Sequence, residues 1–349
     1  MGDRIKLVGK GTLSGKVYTL ILDSAQIATL EIIHDKEFFC IDLPTKPIAN
    51  MGKVLVAGAS GYIGSRLISE LLVRGYKVKA MVRSSPHTYQ SQWPAAEVVV
   101  ADALNIESLR SAFDGVDVVY YLIHSLCLGP KKFESTDLKA ADNFAQAAKE
   151  KNVKRIIYLG GLGDVRSHLS HHLSSRIDVA IRLIMGKVPV TAVRAAVIIG
   201  AGSASYEMIY HLVKNLPLLL VPPWAKAKCQ PIAVCDVLKY LVGILETPET
   251  AGHYFDIGGK DVLTYRDMLS TLSKLLAKKT IFIPIPFNNV AFYSYFSSLL
   301  TPPPYPLIRC LMESLQNDVV CLDESIKDFI PFEPVLYKDA LIQAMTQEV

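Results

Sequence analysis

Among 349 residues there is no C-x-x-C pair; Cys40, Cys127, Cys229, Cys235, Cys310 and Cys321 are scattered along the chain. That spacing argues against a zinc module or a disulfide framework and fits reduced thiols in the cytoplasm. No stretch reaches about eighteen uninterrupted apolar residues, the length a membrane-spanning helix needs, although mean hydropathy is high at +0.28. The nearest approach, Ile281 to Met312, is broken by prolines at 284, 286, 302, 303, 304 and 306. Its aromatics, Phe287, Phe292, Tyr293, Tyr295 and Phe296, fit a core or an oligomer face, with peripheral membrane contact as the alternative. No basic run and no acidic tail accompany the 37 basic and 33 acidic residues, so nucleic acid is not an expected partner. The first residues, Met1-Gly2-Asp3-Arg4, offer no apolar signal core, and secretion is not expected.

What is present is concentrated between residues 54 and 83. Val54-Leu55-Val56-Ala57 reads as a buried strand, Gly58-Ala59-Ser60-Gly61-Tyr62-Ile63-Gly64 as a glycine-spaced turn, and Ser65 to Leu72 as an amphipathic helix. A second strand follows at Val78 to Val82. Such a unit points glycine backbone and a helix N-terminus at a dinucleotide pyrophosphate. Gly58 permits the tight turn, Gly61 lets backbone approach the phosphates, and Gly64 lets the helix pack closely. Ser60, Tyr62 and Ile63 complete the expected contacts.

The second strand ends without an acid. An NAD site usually has one there for the ribose 2′-hydroxyl. This chain has Arg83 and Ser84 instead. A guanidinium fork and a hydroxyl suit a 2′-phosphate, so NADP(H) is expected over NAD(H). Asp102 and Ala103, after the third strand, are expected beside the adenine, and Asn105 as an N-cap.

Strands are expected at 53–58, 77–82, 97–100, 117–123, 154–160 and 190–198. Helices are expected at 62–74, 105–113, 131–151, 172–185 and 204–215. Alternation of this kind builds a doubly wound α/β fold, a parallel sheet covered on both faces. The expected organisation is a short N-terminal β appendage over 1–50, a Rossmann core over 51–200 and a small substrate lobe over 201–349. The appendage reads as strands at 17–22, 27–33 and 38–43. Met51, directly before the turn, also qualifies as a start residue.

These motifs resemble the extended and atypical short-chain dehydrogenase/reductase superfamily, in its NmrA-like, NAD(P)H-binding branch. The resemblance covers roughly residues 52 to 345. Further marks are Val119-Tyr120-Tyr121-Leu122-Ile123-His124-Ser125, Tyr158-Leu159-Gly160-Gly161 and Val193-Arg194-Ala195-Ala196. It implies that the loop from His124 to Gly129 lies near the nicotinamide and that loops from about Gly160 and Gly200 complete the cleft. It is similar to bacterial oxidoreductases of unassigned substrate.

The catalytic pattern of that superfamily is missing. Its serine falls near Gly161, and its Tyr-x-x-x-Lys window aligns with His172-Leu173-Ser174-Ser175-Arg176. One reading makes His172, with His124 as the other candidate, a general acid, and Arg176 the ribose ligand. The other is a redox-silent NADP(H)-binding sensor, assembly factor or structural subunit. His168, His171 and His172 cluster, but no metal is expected from their spacing. Arg194 on an apolar strand is a candidate for a substrate carboxylate or a cofactor phosphate, with a structural acid as the alternative partner. Tyr206 and Trp224 are candidates for the substrate mouth. The substrate itself is expected to be small and apolar, and homo-oligomerisation is left open.

Overall fold

The computed structural model describes residues 5–9, 18–22, 52–124, 130–163, 170–286 and 288–347. Seven strands form one sheet: β1 (Lys53–Ala57), β2 (Val78–Val82), β3 (Glu97–Val100), β4 (Val116–Tyr121), β5 (Arg155–Gly161), β6 (Val190–Ala195) and β7 (Tyr254–Ile257). Their spatial order is 3-2-1-4-5-6-7, and every neighbouring pair is parallel. The order reverses between β1 and β4, the switch point where open α/β sheets bind ligands.

The sequence forms this sheet because the strands are apolar on both faces. In β1, Val54 and Val56 join one core, while Leu55 and Ala57 join the other. The first core receives Leu67, Ile68 and Leu71 of α1 (Tyr62–Val73). The second face is covered by α3 (Ile106–Ala112), α4 (Pro130–Glu150) and α5 (His171–Met185), with Leu109, Phe144 and Leu183 packed inward. A short helix, α2 (Pro86–Gln92), lies between β2 and β3. Asn105 caps α3 as expected, accepting from the Glu107 and Ser108 N–H groups.

The remaining helices are α6 (Ala204–Asn215), α7 (Val234–Glu246), α8 (Tyr265–Leu275), α9 (Val290–Ser298), α10 (Tyr305–Ser314), α11 (Ile326–Phe329) and α12 (Tyr337–Gln347). Helix α7 packs on the sheet with α1. Residues of α6, α8, α10 and α12 build a third apolar cluster beyond the strand ends. A parallel pair, Leu218–Val221 with Ile281–Pro284, edges that cluster. Near the N-terminus, Ile5–Gly9 pairs antiparallel with Tyr18–Leu22. The expected strands at 27–33 and 38–43 lie outside the described residues.

Candidate functional site

The glycine turn connects the C-terminal end of β1 to α1. Gly58 has φ +88°, and a Cβ there would stand 2.8 Å from the Leu122 carbonyl oxygen. Its own carbonyl accepts from the Gly61 N–H at 3.0 Å. Gly61 is exposed and is the N-cap of α1, with no side chain capping it. The first turn therefore presents backbone N–H groups with no side-chain acceptor, an arrangement that fits a phosphate. Ser60 is exposed beside them, and Ile63 is half-buried. The Tyr62 ring carries the Arg66 guanidinium 4.0 Å from its centroid. Burial pushes its hydroxyl up to about 12.

At the neighbouring strand end, Arg83 and Ser84 are exposed. Arg83 makes no hydrogen bond or ion pair among the described residues. Ala101 donates to the Val82 carbonyl at 3.0 Å, which sets Asp102 beside Arg83 at the sheet edge. Asp102 is exposed, and its Oδ1 accepts from the Leu104 N–H at 3.0 Å. Ala103 is buried and its carbonyl takes the Asn143 amide at 3.0 Å. The turn, Arg83, Ser84 and Asp102 thus share the C-terminal edge of three adjacent strands.

A cavity of about 420 Å³ runs from the turn toward α8 and α10. Its walls are largely aliphatic, with Leu122, Leu173, Met208, Met268, Leu307 and Leu311 among them. His124 and Arg176 line it too. A Cβ on Gly161 would stand 3.1 Å from Leu173 and 3.8 Å from Arg176. The position of the missing serine therefore faces the helix that carries the replaced Tyr-x-x-x-Lys window. Arg176 is buried, donates to the carbonyls of Ile123 and Leu159, and stacks 4.9 Å from the Tyr158 ring centroid. It joins the ends of β4 and β5. A guanidinium has further N–H donors for a ligand.

His124 pairs through Nδ1 with Asp137 Oδ2 at 3.1 Å. Asp137, on α4, is buried, and its Oδ1 has no hydrogen-bond partner. Burial, and after it the nearby Arg176 cation, outweigh the opposing Asp137 and together bring the His124 pKa down to about 4. His124 is thus neutral at neutral pH, an N–H donor rather than a stored proton. This pairing was not legible in the sequence. A consequence follows for stability. Between about pH 6.5 and 4 the unfolded chain binds a proton that the folded chain refuses. Stability is therefore expected to fall as pH falls through that window, by on the order of 2 kcal/mol. Urea unfolding at pH 7 and 4.5 measures it. His124→Gln is expected to lose less on acidification than the parent; equal losses would remove His124 from the explanation.

The other sequence candidates are dispersed. Arg194 does not line the cavity. Its Nε donates to Asp256 Oδ1 at 2.7 Å and its Nη1 to the Gly163 carbonyl at 3.1 Å. The sheet register sets Arg194 opposite Asp256, so the arginine has a structural acid as partner. Tyr206 is fully buried and stacks on Tyr210 with ring centroids 5.4 Å apart, inside the third cluster. Trp224 is buried against Tyr265 and Tyr293. Neither reaches the cavity wall, because each has too much apolar surface to leave the core. His172 stands in the first turn of α5, and its side chain lies outside the described residues. His168 also lies outside them. Among the described residues no group of three or more His, Cys, Asp or Glu could hold a metal.

Tyr265, unremarked in the sequence beyond opening a helix, does line the cavity. Its hydroxyl is buried and has no hydrogen-bond partner. An unpaired buried hydroxyl costs about 1–3 kcal/mol. Tyr265→Phe is therefore expected to leave stability unchanged or raise it by about 1 kcal/mol. Tyr158→Phe, which loses a 2.9 Å bond to the Arg176 carbonyl, is expected to lower it by about 1 kcal/mol. Thermal or urea unfolding of the two variants separates them.

Seven parallel strands in this order, with the glycine turn at the switch point, define a Rossmann-type dinucleotide-binding protein. The chain belongs to the NmrA-like family, whose model matches residues 50–299, and with it to the short-chain dehydrogenase/reductase superfamily. Triphenylmethane reductase of Citrobacter sp., solved with NADP(H), is similar in fold, with TM-score 0.69 and 16% identity over 84% of this chain and 99% of that one. Cinnamoyl-CoA reductase 1 of Arabidopsis thaliana is 30% identical over 131 residues, 35% of this chain and only 38% of that protein. Photosystem II assembly factor Ycf39 of Trieres chinensis is 22% identical over 209 residues, 59% of this chain and 64% of that protein.

Proposed function

We propose that this protein is an NADP(H)-dependent reductase of a small, apolar substrate carrying one polar group. The observation that carries this reading is the aliphatic cavity that begins at the glycine turn and ends under α8 and α10. The N-terminus of α1, with Gly58, Ser60, Gly61, Tyr62, Ile63 and Gly64, would hold the pyrophosphate. Arg83 and Ser84 would hold the 2′-phosphate, and Asp102 with Ala103 would border the adenine. When bound, the nicotinamide supplies hydride chemistry that no side chain here can supply.

This chain's residues would bind, orient and exclude water. Arg176 holds the ends of β4 and β5 at the cavity and can turn a free N–H toward the ribose. Asp137 fixes His124 Nδ1, and a neutral imidazole there acts as an oriented hydrogen-bonding group. His172 remains the alternative proton donor. The aliphatic wall rewards apolar substrate surface at about 25 cal/mol per Å² buried. Tyr265, like Tyr62 at the glycine turn, is a phenol in that wall whose buried hydroxyl has no hydrogen-bond partner among the described residues. It would orient a substrate polar group.

A second reading keeps cofactor binding and drops turnover. It is favoured by Gly161 standing where the superfamily has its serine, and by the similarity to an assembly factor. One experiment separates the two. Purified protein is mixed with NADPH, and absorbance at the nicotinamide band is followed across apolar aldehydes, ketones, enones and quinones. Turnover that His124→Ala or His172→Ala abolishes supports the reductase. Tight NADPH binding with no turnover on any of them supports the silent reading.

A further inference from the structure

We infer that the face built by the strand pair Leu218–Val221 and Ile281–Pro284 together with α9 docks on an anionic lipid bilayer surface. The register pairs Leu218 with Ile281 and Leu220 with Ile283. All four side chains are exposed, while Leu219 between them is buried. Strand alternation therefore turns an apolar row outward. Helix α9 adds Phe292, Tyr295 and Phe296, and Leu299 follows it; these are 57%, 61%, 44% and 65% exposed. The two parts are joined, because the Asn215 amide donates to the Leu300 carbonyl at 3.2 Å just before the first strand. An exposed apolar cluster of this kind marks an interaction surface.

Charge selects the partner. No Asp or Glu occurs from Met208 to Cys235 or from Met268 to Met312, the two segments that build this face. Lys214, Lys274, Lys278 and Lys279 lie in the same segments and are exposed. None of the four has an acidic partner among the described residues. Lys278 donates to the Val213 carbonyl at 3.4 Å, which sets its ammonium at the end of α6, where the strand Leu218–Val221 begins. Aromatic and aliphatic side chains bordered by unneutralised lysines match the interface and headgroup layers of an anionic bilayer. A second copy of this chain would bring the same cations to meet them. Among the described residues no helix is long and apolar enough to cross a membrane, so the contact is peripheral. Helix α9 packs on α10, whose Leu307 and Leu311 line the cavity, so the face adjoins the cavity wall.

Docking does not depend on turnover, and its test uses neither cofactor nor substrate. The full chain is floated with phosphatidylcholine vesicles, with and without phosphatidylserine, at low and high salt. Binding is expected only with phosphatidylserine and is expected to weaken as salt rises. Lys278→Glu/Lys279→Glu and Phe296→Ser/Leu299→Ser are each expected to lower the bound fraction about fivefold or more. Lys279→Glu alone is expected to weaken binding with melting temperature unchanged, since Lys279 is exposed and makes no hydrogen bond or ion pair among the described residues, whereas Lys278 is bonded at the end of α6. No binding, equal binding to both vesicle types, or variants that bind as well as the parent would overturn the inference. Light scattering provides the other arm. A dimer that the Phe296→Ser/Leu299→Ser variant converts to monomer would assign the face to a second copy and overturn bilayer docking.

Discussion

Gly64→Ala is expected to weaken NADPH binding roughly a hundredfold, the scale of loss when a binding framework shifts by about 1 Å. A Cβ on Gly64 would stand 2.2 Å from the Gly58 carbonyl oxygen, 2.9 Å from its carbon and 3.1 Å from the Ala59 Cα. All three are backbone atoms of the turn itself, so no side chain can rotate aside. Helix α1 must then move off the end of β1 and carry its N–H groups away from the phosphate position. The same displacement disturbs Leu67, Ile68 and Leu71, which are fully buried against β1. A stability loss of about 1–3 kcal/mol is expected with it. NADPH fluorescence titration and urea unfolding read the two effects separately. Retained affinity would mean that the turn does not hold the cofactor.

Asp256→Ala is expected to cost about 3–5 kcal/mol of stability, the range for stranding a buried ion-pair partner. Asp256 is buried on β7, and Oδ1 accepts the Arg194 guanidinium. Oδ2 accepts the N–H groups of Leu322 and Asp323 at 3.0 and 3.3 Å. Removing the carboxylate leaves a mostly buried cation and two backbone donors without acceptor. Asp256→Ala with Arg194→Met is expected to recover part of the loss, because the stranded charge goes with it. Urea unfolding of the three proteins measures this. A loss below about 1 kcal/mol for Asp256→Ala would show that Arg194 finds another partner.

The sheet was legible because both faces of it are covered. Continuous apolar runs such as Val54 to Ala57 and Val118 to Tyr121 can only be interior strands, and they stand where expected to within a residue or two. Helices with an apolar stripe were equally readable. Helix α2 was not: Pro86 to Gln92 is polar, with no buried residue, and starts after Ser85 in a left-handed conformation with φ 56°. Nothing periodic announces such a helix.

The candidate site divides the same way. The glycine turn was legible because each glycine answers a local steric demand. The pairings were not, because they join residues distant in sequence. His124 meets Asp137 thirteen residues further on, and Arg194 meets Asp256 only through the register of β6 with β7. Tyr206 and Trp224 look like mouth residues in sequence because they flank loops, yet the third cluster buries both. Tyr265 was missed because an N-terminal helix tyrosine carries no signal until the cavity beside it is known.

The most direct test of the account compares NADPH with NADH on the parent protein and on Arg83→Ala. The prediction is that NADPH binds the parent at least about tenfold more tightly than NADH, the worth of one charge-assisted hydrogen bond to the 2′-phosphate. Arg83→Ala should lose that margin by weakening NADPH alone, leaving NADH unchanged. Equal affinities in the parent, a preference for NADH, or an Arg83→Ala protein that still prefers NADPH would contradict it.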